Sequence, residues 1–110
     1  SGALVLFDIL VVNTKDDLSF PDAVFYEPSP NPATHQVDFS FYLLQPSQVR
    51  LEILDECGGK IETVTAKHFS VGLHHISWNL TANGLKLPDG IYFCSLKVDG
   101  RILTKKLIFR

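Results

Sequence analysis

The chain has 110 residues, 45% of them hydrophobic and 20% charged, with a formal net charge of −2. That length supplies one small domain with its own core, and the balance is globular rather than disordered. A charge this close to neutral leaves no electrostatic footprint for nucleic acid, and no apolar run approaches the ~20 residues that a membrane helix needs.

Ala3 to Val12 (ALVLFDILVV) is apolar on both parities except at Asp8. This fits a strand covered on both faces, or one whose outer face meets a further domain. With no methionine and no basic leader, the chain reads as a piece of a longer polypeptide, and Ser1-Gly2 as a remnant of expression engineering. Asn13 to Asp17 is a polar loop. Leu18 to Tyr26 is a shorter apolar stretch broken by Pro21, and so an edge strand at best. Glu27 to Pro32 then places three prolines in five residues. Proline donates no backbone hydrogen bond and holds its predecessor extended. The segment reads as a stiff linker or the lead-in to a strand. The expected organisation is N-terminal strands over residues 1–26, which either close a preceding domain or add one or two strands to the sandwich, a linker over 27–32, and a C-terminal domain over 33–110.

Beyond the prolines the alternation is clean. Val37, Phe39, Phe41 and Leu43 share one face of a strand. Gln45-Pro46-Ser47 turns, and Val49, Leu51 and Ile53 share the face of the next. Asp55 to Gly59 turns, Lys60 to Ala66 is a β-branched strand, and Lys67 to Gly72 is a connection. Leu73 to Asn79 is a strand with His74, Ile76 and Trp78 on one side. A loop over Leu80 to Lys86 leads to a last hairpin. Leu87-Pro88-Asp89-Gly90 turns into the strand Ile91 to Val98, because proline fixes one φ and glycine accepts a positive one. Asp99-Gly100 is a two-residue hairpin turn, and Arg101 to Phe109 returns. Six short strands in about 75 residues, with turn signals roughly every ten, predict an all-β fold. The expected form is an Ig-like antiparallel β-sandwich of about seven strands.

No residues converge on a chemistry. His74 and His75 are adjacent on a strand, so they point to opposite faces and cannot share a metal ion with His68. Cys57 lies beside Asp55 and Glu56, whose charges raise a thiol pKa. Cys57 and Cys94 are expected to be free, with Cys94 packed inward as a small hydrophobe. Gly58-Gly59 opens no helix and makes no phosphate loop. Asn79-Leu80-Thr81 is a glycosylation sequon, relevant only in a secretory host. Trp78, Phe69, Tyr42, Tyr92 and Phe93 would form a sugar-stacking platform only if they were exposed together; Trp78 reads as core. Neither an enzyme nor a bound cofactor is expected.

The order of the turns and strands carries a resemblance. Ser29-Pro-Asn-Pro-Ala-Thr34 opens the first clean strand. Val49-Arg-Leu-Glu-Ile-Leu-Asp55 leads to Gly58-Gly59-Lys60. Gly72-Leu-His74, Trp78-Asn79 and Leu87-Pro-Asp-Gly-Ile-Tyr-Phe93 follow, with Gly100 and Lys105-Lys106 before the end. From about residue 28 onward this resembles the C-terminal sorting domain of cargo exported by the type IX secretion system of Bacteroidetes. The resemblance implies a non-catalytic signal that takes its cargo across the outer membrane to the cell surface or the medium. Its partners would be the type IX translocon and a sortase that removes the domain and joins the cargo to lipopolysaccharide. Gly90, Tyr92, Gly100, Lys105 and Lys106 would then serve recognition. Tyr26, Glu27, Pro28, Ser29, Pro30, Asn31 and Pro32 would form the linker and cleavage region. The alternatives are a structural Ig-like stalk, as beside extracellular hydrolases and in flagellar hook-capping proteins, and a carbohydrate-binding module. A dimer through Ala3 to Val12 or through edge strands is also expected.

Overall fold

The computed structural model describes residues 23–110; the strand expected over residues 3–12 lies outside them. The described chain is all-β: β1 (Ala23–Phe25), β2 (Val37–Leu43), β3 (Ser47–Leu54), β4 (Lys60–Phe69), β5 (Gly72–Trp78), β6 (Thr81–Ala82), β7 (Leu85–Lys86), β8 (Gly90–Val98) and β9 (Arg101–Phe109). Two sheets carry the fold. The first has the order β1-β2-β5 and the second β4-β3-β8-β9, while β6 and β7 form a small ribbon. All of these pairings are antiparallel. This is the expected Ig-like sandwich, with seven principal strands.

The period-2 patterns decide which face goes in. Val37, Phe39, Phe41 and Leu43 of β2 are fully buried, as are Val49, Leu51 and Ile53 of β3 and Cys94, Leu96 and Val98 of β8. Each large apolar side chain removed from water contributes about 1.5–3 kcal/mol. The sheets meet through aromatic contacts. Phe41 of β2 meets Phe69 of β4 edge-on at 5.2 Å between ring centroids. Trp78 of β5 meets Phe109 of β9 at 5.8 Å.

β4 departs from the expectation. It runs on to Phe69, so the connection to β5 is only Ser70 and Val71. Its register with β3 shifts twice, between Leu51 and Glu52 and between Ile53 and Leu54. Each shift leaves one β4 residue unpaired, and the skipped residues, Ile61 and Val64, pack against the core. A bulge turns a side chain that alternation would send outward, which is why β4 shows no clean period.

The last hairpin forms as its sequence dictates. Asp99 and Gly100 both have positive φ, 46° and 91°, as a type I′ turn requires. Val98 pairs with Arg101, and the ladder continues to Gly90 opposite Phe109.

Ala23–Phe25 pairs with Leu43 to Phe41 of β2, and Ala23 and Phe25 belong to the buried core. These residues are a strand of the sandwich, as one alternative for residues 3–26 expects. Register also fixes the poles. Ala23 lies opposite Leu43 at one end of β2. Val37, at the other end, lies opposite Trp78, which touches Phe109. Ala23 of β1 and Phe109 of β9 therefore lie at opposite poles.

Candidate functional site

The residues singled out from sequence converge on one seam, where residues 26–33 cross from the edge of the first sheet to the edge of the second. Three prolines fall there, and the remaining backbone donors are largely used. Tyr26 donates its N–H to the Ser40 carbonyl at 3.0 Å, and Ser29 and Asp38 exchange a pair of bonds at 3.1 and 2.7 Å. Ala33 then pairs parallel with Phe109. Its N–H reaches the Ile108 carbonyl at 2.7 Å, and its carbonyl accepts from Arg110 N–H at 2.8 Å. Pro28, Pro30 and Pro32 occupy the positions where no ladder bond is needed. Pro28 and Ala33 are buried.

Asn31, between two prolines, supplies the missing rung with its side chain. Its Nδ2 donates to the Lys106 carbonyl at 3.0 Å, and its Oδ1 accepts from Ile108 N–H at 3.0 Å. The primary amide thus imitates a peptide unit against the β9 edge. Lys105 Nζ donates to Glu27 Oε2 at 2.9 Å. Glu27 is mostly exposed, so this pair adds little stability. Lys106 itself is exposed.

Tyr92 lies inside the seam. Its ring stacks on Phe109 at 4.2 Å, and its hydroxyl donates to the Pro88 carbonyl at 2.7 Å. Burial, and then the charge of Asp89, raise its pKa. Gly90 opens β8 at the same pole, opposite Phe109. Gly100 does not join them, because it sits in the hairpin turn at the other pole. The structure therefore brings together Tyr26 to Pro32, Gly90, Tyr92, Lys105 and Lys106, and leaves Gly100 apart. Glu27 and Asn31 meet β9 at Lys105, Lys106 and Ile108 across the two edges, while Tyr92 packs beneath them on Phe109.

The other candidates are scattered. Cys94 and Cys57 are free thiols. Burial pushes the Cys94 pKa up to about 12, which leaves a protonated and inert thiol. His74 lies between Phe41 and Phe69, with Nε2 2.8 Å from the Ser70 carbonyl. His75 takes the outer face, its Nδ1 2.8 Å from Ser40 Oγ. Among the described residues no group of three or more His, Cys, Asp or Glu could hold a metal ion. The aromatic platform divides: Trp78 and Tyr92 are buried, whereas Tyr42 and Phe93 lie on outer faces of different sheets. A shallow groove beside the hairpin turn is lined by Gln48, Arg50, Ala66, Lys97, Asp99 and Gly100.

Two features gave no signal in the sequence. Ala33, fully buried, is legible only as an alanine after a proline. Glu52 belongs to the outward parity of β3 yet is buried. Arg50 at 3.2 Å and Lys60 at 3.6 Å enclose its carboxylate. Within the described residues no helix is long and apolar enough to cross a membrane.

No curated protein matches the chain. Residues 30–101, more than half of it, match the family model of the FlgD Ig-like domain. That match overturns the resemblance to the type IX sorting domain and the export role drawn from it. The physical reason is visible in the fold. Pro30-Asn31-Pro32, Pro88-Asp89-Gly90 and Asp99-Gly100 are edge and turn devices of the sandwich, so their order reports the fold and not a destination. The family's domain is a structural one, and the chain, by this match, belongs to the family of the FlgD Ig-like domain.

Proposed function

We propose that the chain is a non-catalytic structural module, an in-line Ig-like spacer within a larger assembly. One observation supports this reading beyond the family match: Ala23 of β1 and Phe109 of β9 lie at opposite poles of the sandwich. Between them lies the length of a seven-residue strand, about 23 Å at ~3.3 Å per residue. A module loaded at these two poles would hold what it joins apart. Tension between its ends runs along the strands, so the ladder bonds of β1 and β9 share the load in shear. Its buried thiol and dispersed histidines fit a scaffold better than a catalyst.

Single-molecule stretching of the full chain between flanking handle domains tests it. A spacer unfolds in one cooperative event that releases about 28 nm, the contour of the described residues at ~3.4 Å each less the ~23 Å spanned when folded. Piecemeal yielding at negligible force would refute the reading. So would specific glycan binding lost in Tyr42→Ala, which would favour a carbohydrate-binding module.

A further inference from the structure

Six large apolar side chains stand together on the outer face of the first sheet, each 37 to 54% exposed: Val24, Tyr26, Tyr42, Leu44, Val71 and Leu73. Register sets three of them in one row, with Val24 of β1 opposite Tyr42 of β2 and Tyr42 opposite Leu73 of β5. Leu44 and Val71, just beyond β2 and just before β5, face one another as that register continues. Tyr26 follows β1, its N–H on the Ser40 carbonyl. The nearest charge on these three strands, Asp38, lies at the far end of β2. The alternating neighbours Phe25, Phe41 and Leu43 fill the core, so the outer six are surplus to the sandwich. An exposed apolar patch of this kind, on the order of several hundred Å², marks an interaction surface.

The rest of that face is polar and already engaged. Ser77 Oγ donates to Asp38 Oδ1 at 2.6 Å, Gln36 Nε2 donates to the same oxygen at 3.1 Å, and Ser40 Oγ lies 2.8 Å from His75 Nδ1. The apolar half is the one at the pole where Ala23 pairs with Leu43. The longest apolar run of the sequence lies close before Ala23: Ala3 to Val12 has nine apolar residues and one charge, Asp8. Asn13 to Asp22, ten residues, join the two. A connection of that length spans up to ~33 Å, whereas the row from Val24 to Leu73 is only about 10 Å wide, two strand spacings of ~4.8 Å. The run therefore reaches every residue of the patch.

We propose that Ala3 to Val12 docks on this patch and covers the outer face of the first sheet of its own chain. Tethering decides between this occupant and its competitors. A covalently joined segment acts at an effective concentration in the millimolar range, above that of a second copy or a separate partner at ordinary protein concentrations. Docking also takes two apolar surfaces out of water together, the run and the patch. The outer face of the second sheet is a poorer match. It carries Arg50 opposite Lys97, with Lys60 and Lys106 further along, and an apolar cover there would strip water from those charges. The run is then spent on its own domain, and the full chain is a monomer with its one large apolar face closed.

Nuclear Overhauser contacts in the full chain test the docking. The expected contacts join the Tyr42 ring and the Leu73 methyl groups to side chains of Ala3 to Val12. A mixture of isotope-labelled and unlabelled protein shows them to lie within one chain. Chymotrypsin gives a second reading at Phe7. Tyr42→Lys with Leu73→Lys places two charges in the patch and speeds cleavage there at least tenfold, while Ile102→Lys on the outer face of the second sheet leaves it unchanged. Retained Trp78 fluorescence shows that each variant is folded. Contacts between chains in the mixed sample would give the patch to a second copy and overturn the proposal. Contacts of Ala3 to Val12 with Phe93 or Ile102, or none with the patch, would overturn it as well. So would a Phe7 bond cut equally fast in the parent and the double variant.

Discussion

Replacing Asn31 by alanine removes both bonds that hold the proline segment to β9. The two are 3.0 Å long and connect residues 75 and 77 positions apart in sequence. A net hydrogen bond is worth about 0.5–1.5 kcal/mol. Asn31 is exposed, so water recovers part of this, and the expected loss is about 1–2 kcal/mol. For a domain of this size that lowers Tm by roughly 4–15 °C, at about 4–8 °C per kcal/mol. Asn31→Asp is instructive because it keeps the acceptor for Ile108 N–H but points a second acceptor at the Lys106 carbonyl. It should be no better than alanine, whereas a purely electrostatic role beside Lys105 and Lys106 would make it stabilising. Urea unfolding followed by Trp78, the single tryptophan, gives the free energies. Exchange at the Ile108 amide localises the effect. An alanine variant within about 0.3 kcal/mol of the parent, with Ile108 exchange unchanged, would show that Asn31 does not hold the seam.

Other consequences arise from the same geometry. Trp78→Ala removes a ring packed on Phe39 and Phe109 and bonded through Nε1 to the Thr81 carbonyl; circular-dichroism melts should register a loss of about 3–5 kcal/mol. DTNB at pH 8 should titrate one thiol, Cys57, in the folded chain and two after unfolding, since Cys94 is buried. The Cys94 pKa is raised from about 9 to about 12, so its contribution is intact below pH 9 and is lost as pH rises toward 12; Cys94→Ala should flatten that alkaline decline in urea midpoints. The Asp38 pKa is lowered, first by the Ser77 hydroxyl and then by the Gln36 amide. Its contribution is present above the unfolded carboxyl value near 4 and disappears as pH falls through the lower folded value. NMR titration of the Asp38 carboxyl should move upward in Ser77→Ala, and an unmoved titration would sever the link.

Strands buried on one face were legible because burial enforces a period. β2 was readable to the residue, since a slip by one would put Phe39 and Phe41 into water. The Asp99-Gly100 turn was readable because few pairs accept two positive φ angles. β4 was only half legible, since its two bulges point Ile61 and Val64 inward against the alternation. Residues 26–33 were harder still. Proline density says only that backbone donors are missing. It does not say that Asn31 will replace one, or that Ala33 will meet Phe109 from far along the chain. Such pairings depend on sequence separation that no local window contains. Glu52 was missed for a different reason: alternation assigns it outward, and only the packing of Arg50 on its own strand and Lys60 on β4 around its carboxylate covers it.

The misreading of function has the same origin. A turn motif recurs wherever the same backbone problem recurs: a hairpin that needs two positive φ angles, or an edge that needs closing without proline donors. A set of such motifs in order specifies a sandwich strongly, because each fixes one connection and together they fix the topology. It specifies destination or partner weakly, because a partner reads exposed groups, and these motifs consume theirs internally. Asn31 spends its amide on Lys106 and Ile108, and Tyr92 spends its hydroxyl on Pro88. The groups left outward are those that no turn or core demanded: the outer faces around Tyr42 and Leu73 and around Phe93. A sequence argument for partners has to begin from those residues, and they carry no local signature.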